Sequence, residues 1–153
     1  MLIHHFGSRD GLLTAVVRAV EDRQRALLAD RDDDGSPADA AAAFWRHLRS
    51  PELAPQERLF FEVYGQTLQG RKWAEPMLEG VVSDWLGPLT GLLAAGGIDN
   101  PGPHARLALA VTRGLLLDLL ATGETAEVDA AMELFARLLL GPVENGGSAP
   151  TST

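Results

Sequence analysis

The chain reads as an all-α protein, and three observations predict that class. Hydrophobic residues recur at helical spacing through nearly every patterned segment, Ala and Leu fill those segments, and the runs of β-branched residues that would mark strands are missing. Six helices follow in order. Ser8 is placed to cap the first, Asp10 sits in its first turn where a negative charge complements the helix dipole, and Leu12, Leu13, Val16, Val17, Val20, Leu27 and Leu28 recur along it. This helix is predicted over Arg9–Asp30, long for a small domain. The stretch DRDDDGSP, Asp30 to Pro37, ends it with charge, a Gly and a Pro, and Ser36 caps a second helix, Pro37–Leu48, with Pro at its first position.

After the Ser50-Pro51 and Ala54-Pro55 steps, Gln56–Leu68 carries Leu59, Phe60, Val63, Tyr64, Thr67 and Leu68 on one broad face and gives the third helix. The fourth is predicted over Glu75–Ala95, with Met77, Leu78, Val81, Val82, Trp85, Leu86, Leu89 and Leu92-Leu93 inward, Pro88 as a point of kinking and Gly96-Gly97 as its stop. The turn Asn100-Pro101-Gly102-Pro103 leads into the fifth, His104–Ala121, which is apolar nearly all round and therefore buried on more than one side. The sixth, Ala126–Leu140, carries a single stripe of Val128, Ala131, Met132, Phe135, Leu138 and Leu139. Gly141-Pro142 stops it, and residues 142–153 have the small, polar composition of a disordered tail.

Composition narrows the function. With 153 residues the chain is one domain, and 13 Lys+Arg against 21 Asp+Glu give a net charge of −8. Most of such a surface repels phosphate, so any contact with nucleic acid is local. No cysteine is present, which excludes a disulfide framework, thiolate metal sites and a Cys nucleophile, and leaves the cytoplasm as the expected compartment. The longest apolar run, around Leu115–Leu120, is interrupted by Arg113 and Asp118 and is too short to span a membrane, and the start MLIHHFGSRDG lacks the pattern of a signal peptide.

Catalytic motifs are missing as well. The histidines at 4, 5, 47 and 104 form no ligand pair at helical spacing, and no nucleophile elbow, Walker loop or dinucleotide fingerprint occurs. D-x-D-x-D-G at Asp30–Gly35 opens like a calcium loop, but the twelfth position is Ala41, which has no carboxylate, so a solvated turn is the better account. The reading is a non-enzyme without metal or cofactor. Two features suggest binding instead. Aromatics gather in the middle of the chain at Phe44, Trp45, Phe60, Phe61, Tyr64, Trp73 and Trp85, a cluster that can line an apolar pocket, with Phe60, Phe61, Tyr64 and Trp85 as the leading candidates and core packing as the alternative for each. Arg113 and Asp118 are charges in an apolar helix; each needs its own partner, either a ligand or a group across an interface. The last two helices hold more apolar surface than one small core uses. A dimer through them, with Gly114, Val128, Ala131, Met132, Phe135, Leu138 and Leu139 at the interface, is the expectation.

The opening residues Leu2-Ile3-His4-His5-Phe6-Gly7-Ser8-Arg9-Asp10-Gly11-Leu12-Leu13 resemble the joint between DNA-binding head and linking helix in the tetracycline-repressor (TetR) family of transcriptional regulators, whose pattern is close to L-Y-Y-H-F-x-S-K-E-x-L-L. The match covers about the first thirty residues; beyond them only the order of helices agrees. The resemblance implies a TetR-like regulatory fold, a homodimer through the last two helices as a four-helix bundle, and a small apolar effector bound between helices. It assigns residues 1–8 to the end of a helix-turn-helix head, 9–141 to effector binding and dimerisation, and 142–153 to the tail. His4, His5 and Arg9 fall where the family touches the DNA backbone, and Phe6 falls where the head packs on the linking helix, while Ile3 replaces a tyrosine. Most of a three-helix head would lie before Met1, so an operator is expected as a partner only if that head is present, with a misassigned start as the favoured explanation. The alternative is a headless helical dimer that binds a small molecule or a partner protein without contacting DNA.

Overall fold

The computed structural model describes residues 8–30 and 36–141. Among them the chain is all-helical, with six α-helices and no strand: α1 (Arg9–Ala29), α2 (Pro37–Leu48), α3 (Ala54–Leu68), α4 (Ser83–Ala95), α5 (Pro101–Thr122) and α6 (Thr125–Leu140). Short 3-10 segments at Pro51–Leu53 and Lys72–Leu78 precede α3 and α4. The caps expected from sequence form. Ser8 Oγ accepts from the Gly11 N–H at 3.0 Å and Ser36 Oγ from the Asp39 N–H at 3.1 Å, each satisfying a donor that the helix leaves open.

The single helix expected over Glu75–Ala95 is two elements. Pro76 lies within the 3-10 segment, and Gly80 takes a left-handed φ of 79°, where an added Cβ would overlap the Asp84 carboxylate. The chain therefore turns between the segments, α4 starts at Ser83, and Leu78, expected inward on a continuous helix, ends the 3-10 segment 46% exposed. Pro88 sits inside α4 without ending it. Gly123, at φ 75°, closes α5 and lets α6 fold back onto it after a two-residue connection, Gly123-Glu124.

The buried face of α1 also differs from the one its leucines and valines suggest. Thr14, Val17, Glu21, Gln24 and Leu28 are buried, a run of alternating spacing three and four, whereas Val16 and Leu27 are exposed by 39% and 50%. Three of those five inward residues are polar. Apolar residues outnumber inward positions on this helix, and its packing against α3, α4 and the second 3-10 segment selects the face.

Three clusters make up the core. Val17, Phe60, Val63, Ala74, Met77 and Val81 join α1, α3 and the segment before α4. Leu28, Trp85, Leu92 and Leu109 join α1, α4 and α5, and Trp45, Leu116 and Val128 join α2, α5 and α6. No described helix is long and apolar enough to cross a membrane. The phase of α1 is testable by comparing neighbours. Leu28→Ala, at a position 4% exposed, should lower the unfolding free energy by at least ~2 kcal/mol in urea denaturation, whereas Leu27→Ala should change it by no more than about 0.5 kcal/mol.

Candidate ligand-binding cavity

Between the second and third clusters lies a cavity of about 110 Å³ that opens partly to solvent. It is of the order of the engineered apolar cavity of about 150 Å³ that takes up benzene. All six helices contribute to its wall. Phe44, Trp45 and Leu48 of α2, Trp85, Leu89 and Leu92 of α4, Leu109 and Leu116 of α5, and Met132, Phe135 and Leu139 of α6 form the apolar part. Glu21 and Gln24 of α1, Glu57 of α3 and Thr112 and Arg113 of α5 form a polar end.

That polar end is a connected network. Glu21 Oε1 accepts from Trp85 Nε1 at 3.2 Å and from Arg113 Nη2 at 3.3 Å, and its second oxygen lies 3.8 Å from Arg25 Nη1. Arg113 also donates to the Val81 carbonyl, and its guanidinium lies 5.1 Å from the centroid of the Phe60 ring and 5.8 Å from that of Tyr64. Beside this group Gln24 Nε2 donates to Glu57 Oε1. Burial governs the electrostatics. It raises the Glu21 carboxyl above its usual range against the pull of Arg113, and it lowers the Arg113 guanidinium against the pull of Glu21, so pairing offsets only part of what desolvation costs each partner. Burial raises Glu57 too; the Gln24 hydrogen bond opposes the rise and the charge of Glu21 adds to it.

A second polar contact holds the opposite wall. Asp129 Oδ1 of α6 accepts from Trp45 Nε1 at 2.9 Å, and Arg49 Nε, just past α2, lies 2.9 Å from the same oxygen as an ion pair without a well-aimed hydrogen bond. These contacts tie α6 to α2 beside the cavity.

Of the residues proposed from sequence for a pocket, Phe60, Trp85 and Arg113 line the cavity. Phe61 and Tyr64 pack on the first cluster instead, where Tyr64 meets Phe60 at a ring-centroid distance of 5.6 Å. Asp118 is exposed, and water supplies what an interior charge would need from a partner. Arg113 finds its partner on α1, 92 positions away in sequence. The sixth-helix stripe divides. Val128 belongs to the third core cluster, Met132, Phe135 and Leu139 face the cavity, Ala131 is half-buried, and Leu138 is 77% exposed. Gly114 is exposed, and an added Cβ there would meet nothing within 4 Å. Arg9 is exposed at the start of α1, whereas His4, His5 and most of the acidic run after Asp30 lie outside the described residues.

Sequence reasoning missed Glu21, Gln24, Glu57 and Asp129. The three, four alternation from Thr14 through Leu28 is the signal that exposes the first two, because it places them on the same face as Val17.

Two stability measurements test the network. Arg113→Met should cost about 3–5 kcal/mol in urea denaturation, because it leaves Glu21 buried without its nearest cation, and Glu21→Leu in the same chain should recover most of that loss. Glu57→Gln should behave oppositely. The folded Glu57 carboxyl titrates above its unfolded value of 4.5, so the native chain gains stability as this group takes up a proton and loses that gain as pH rises through the folded value. Glu57→Gln should therefore be more stable than the native chain at neutral pH, with the difference closing as pH falls towards 4.5. No protein-family model, curated protein or solved structure matches the chain significantly.

Proposed function

We propose that this chain is the ligand-sensing and dimerising portion of a TetR-family transcriptional regulator, a repressor whose hold on DNA responds to a small apolar molecule. The observation that carries the proposal is the course of α1. It starts at Arg9, within the segment that resembles the family's joint between head and linking helix, and its later turns deliver Glu21, Gln24 and Leu28 to the cavity wall. A molecule filling the cavity therefore bears on the helix that would carry the head. Its effect on DNA affinity is limited to its differential affinity for the two placements of that helix.

Dimerisation through α5 and α6 is supported by what their outer sides expose. Leu107 and Leu117 on α5 and Leu134 and Leu138 on α6 are each at least half exposed. On α5, Leu107, Ala110, Gly114, Leu117 and Ala121 share one exposed helical face. A glycine in the middle of a helix costs about 1 kcal/mol relative to alanine. Within the protomer no packed neighbour accounts for Gly114, and the close approach of a second backbone would.

Sedimentation equilibrium should give about twice the chain mass of 16.3 kDa at micromolar concentration. Leu117→Glu with Leu138→Glu should return the protein to a monomer of unchanged helical circular dichroism, and a monomeric native chain would overturn the dimer. The intact mass of the protein from its own cells, read against 16.3 kDa, tests for the head. With the head present, saturating ligand should change operator affinity, and unchanged affinity rejects the regulator.

A further inference from the structure

The charges at the polar end of the cavity do not balance. Glu21 is met by Arg113 at 3.3 Å, by Arg25 at 3.8 Å and by the Trp85 N–H. Arg113 Nη2 donates to both Glu21 and the Val81 carbonyl, and the guanidinium lies against the Phe60 and Tyr64 rings. Glu57 is 4% exposed and receives a hydrogen bond from the neutral Gln24, but among the described residues it makes no ion pair. The lining residues of α2, α4 and α6 are uncharged. A carboxylate on the wall of an otherwise apolar cavity, with no cation of its own, is costly when charged and is completed by a cation that arrives with the ligand.

We propose that the cavity binds a small apolar molecule ending in a protonated amine, whose ammonium group pairs with the Glu57 carboxylate while its hydrocarbon body lies among Phe44, Trp45, Leu109 and Phe135. The assignment deepens the effector-site reading and rests on it. A carboxylic acid fits worse, since it would bring a third carboxyl group beside Glu21 and Glu57 to reach a guanidinium already paired with Glu21. A neutral hydrocarbon leaves Glu57 without a paired cation.

Proton linkage follows from the groups that face Glu57: Glu21 and Gln24 from α1 and Arg113 from α5. In the empty cavity burial favours the protonated carboxyl. At a pH where Glu57 carries its proton, binding of an ammonium ion releases that proton to solvent and leaves a carboxylate–ammonium pair. Amine affinity should therefore fall as pH drops through the raised range of Glu57, while the affinity of a neutral ligand should not.

Benzylamine, benzyl alcohol and toluene share one ring and differ in the group they bring to Glu57. Their binding to the full chain can be followed through the fluorescence of Trp45 and Trp85, both of which line the cavity. Benzylamine should bind about tenfold or more tightly than either neutral probe. Glu57→Gln keeps the oxygen that accepts from Gln24; it should abolish the preference for benzylamine and leave toluene binding intact, which also shows that the variant is folded. Equal binding of all three probes, or a benzylamine preference that survives Glu57→Gln, overturns the amine assignment and leaves the cavity as an effector site. Failure of all three to bind overturns both readings. Should the variant not fold, the native chain decides, because benzylamine affinity that does not fall relative to toluene at lower pH overturns the proposal.

Discussion

The ion pair between Glu21 and Arg113 joins the first long helix to the fifth across 92 positions of sequence, and the cavity is organised around it. Arg113 fastens to the Val81 carbonyl at the entrance to α4, and Glu21 takes the indole N–H of Trp85 in the first turn of that helix, so α1, α4 and α5 meet at one pair of side chains. Hydrophobic contact alone could pack three helices in several registers. A buried pair whose hydrogen bonds also involve a backbone carbonyl and an indole is satisfied in few of them, which is how such a pair contributes to specificity even when its net effect on stability is small.

The same polar end is costly to keep. Leucine at positions 21, 24 and 57, similar in size to Glu and Gln, would remove the cost of burying two carboxyl groups. The chain instead carries Glu, Gln and Glu at those positions, each at most 8% exposed. Retaining polar groups at a destabilising position beside an apolar cavity is the compromise expected of a binding site, where stability is given up for recognition.

Much of the fold is legible in the sequence because it depends on local chemistry. The Ser8 and Ser36 caps, Pro37 at the start of α2 and the glycine stops after α4 and α6 act within a few residues of themselves. The division before α4 is harder to see, because Gly80 must be weighed against the apolar residues on both sides of it. The cavity is less legible still. Phe60, Trp85 and Arg113 carry a visible signal, being large or charged in apolar surroundings, and they do line it. Glu21, Gln24 and Glu57 look like ordinary surface residues of amphipathic helices, and only the phase of the helix against its neighbours turns them inward. That phase is a property of the packed structure, set by partners tens of residues away.

The sixth helix shows the same division of labour in a form that bears on coupling. Its inner side supplies Met132, Phe135 and Leu139 to the cavity, its start is tied to α2 through Asp129, and its outer side carries Leu134 and Leu138 into solvent. A rigid helix cannot move one side without the other. A ligand that pushes on Met132 and Phe135 must therefore either be absorbed by side-chain rotamers within the cavity or shift the outer leucines as a unit. Close packing of α6 against α5 favours the second, since interiors packed to native density transmit displacement more readily than they absorb it. In the dimer we propose, the outer side is the interface. In the proposed regulator, cavity occupancy would act on subunit arrangement through a single helix, without a chain of intermediaries, and α1 would carry the same displacement towards a head attached at its other end.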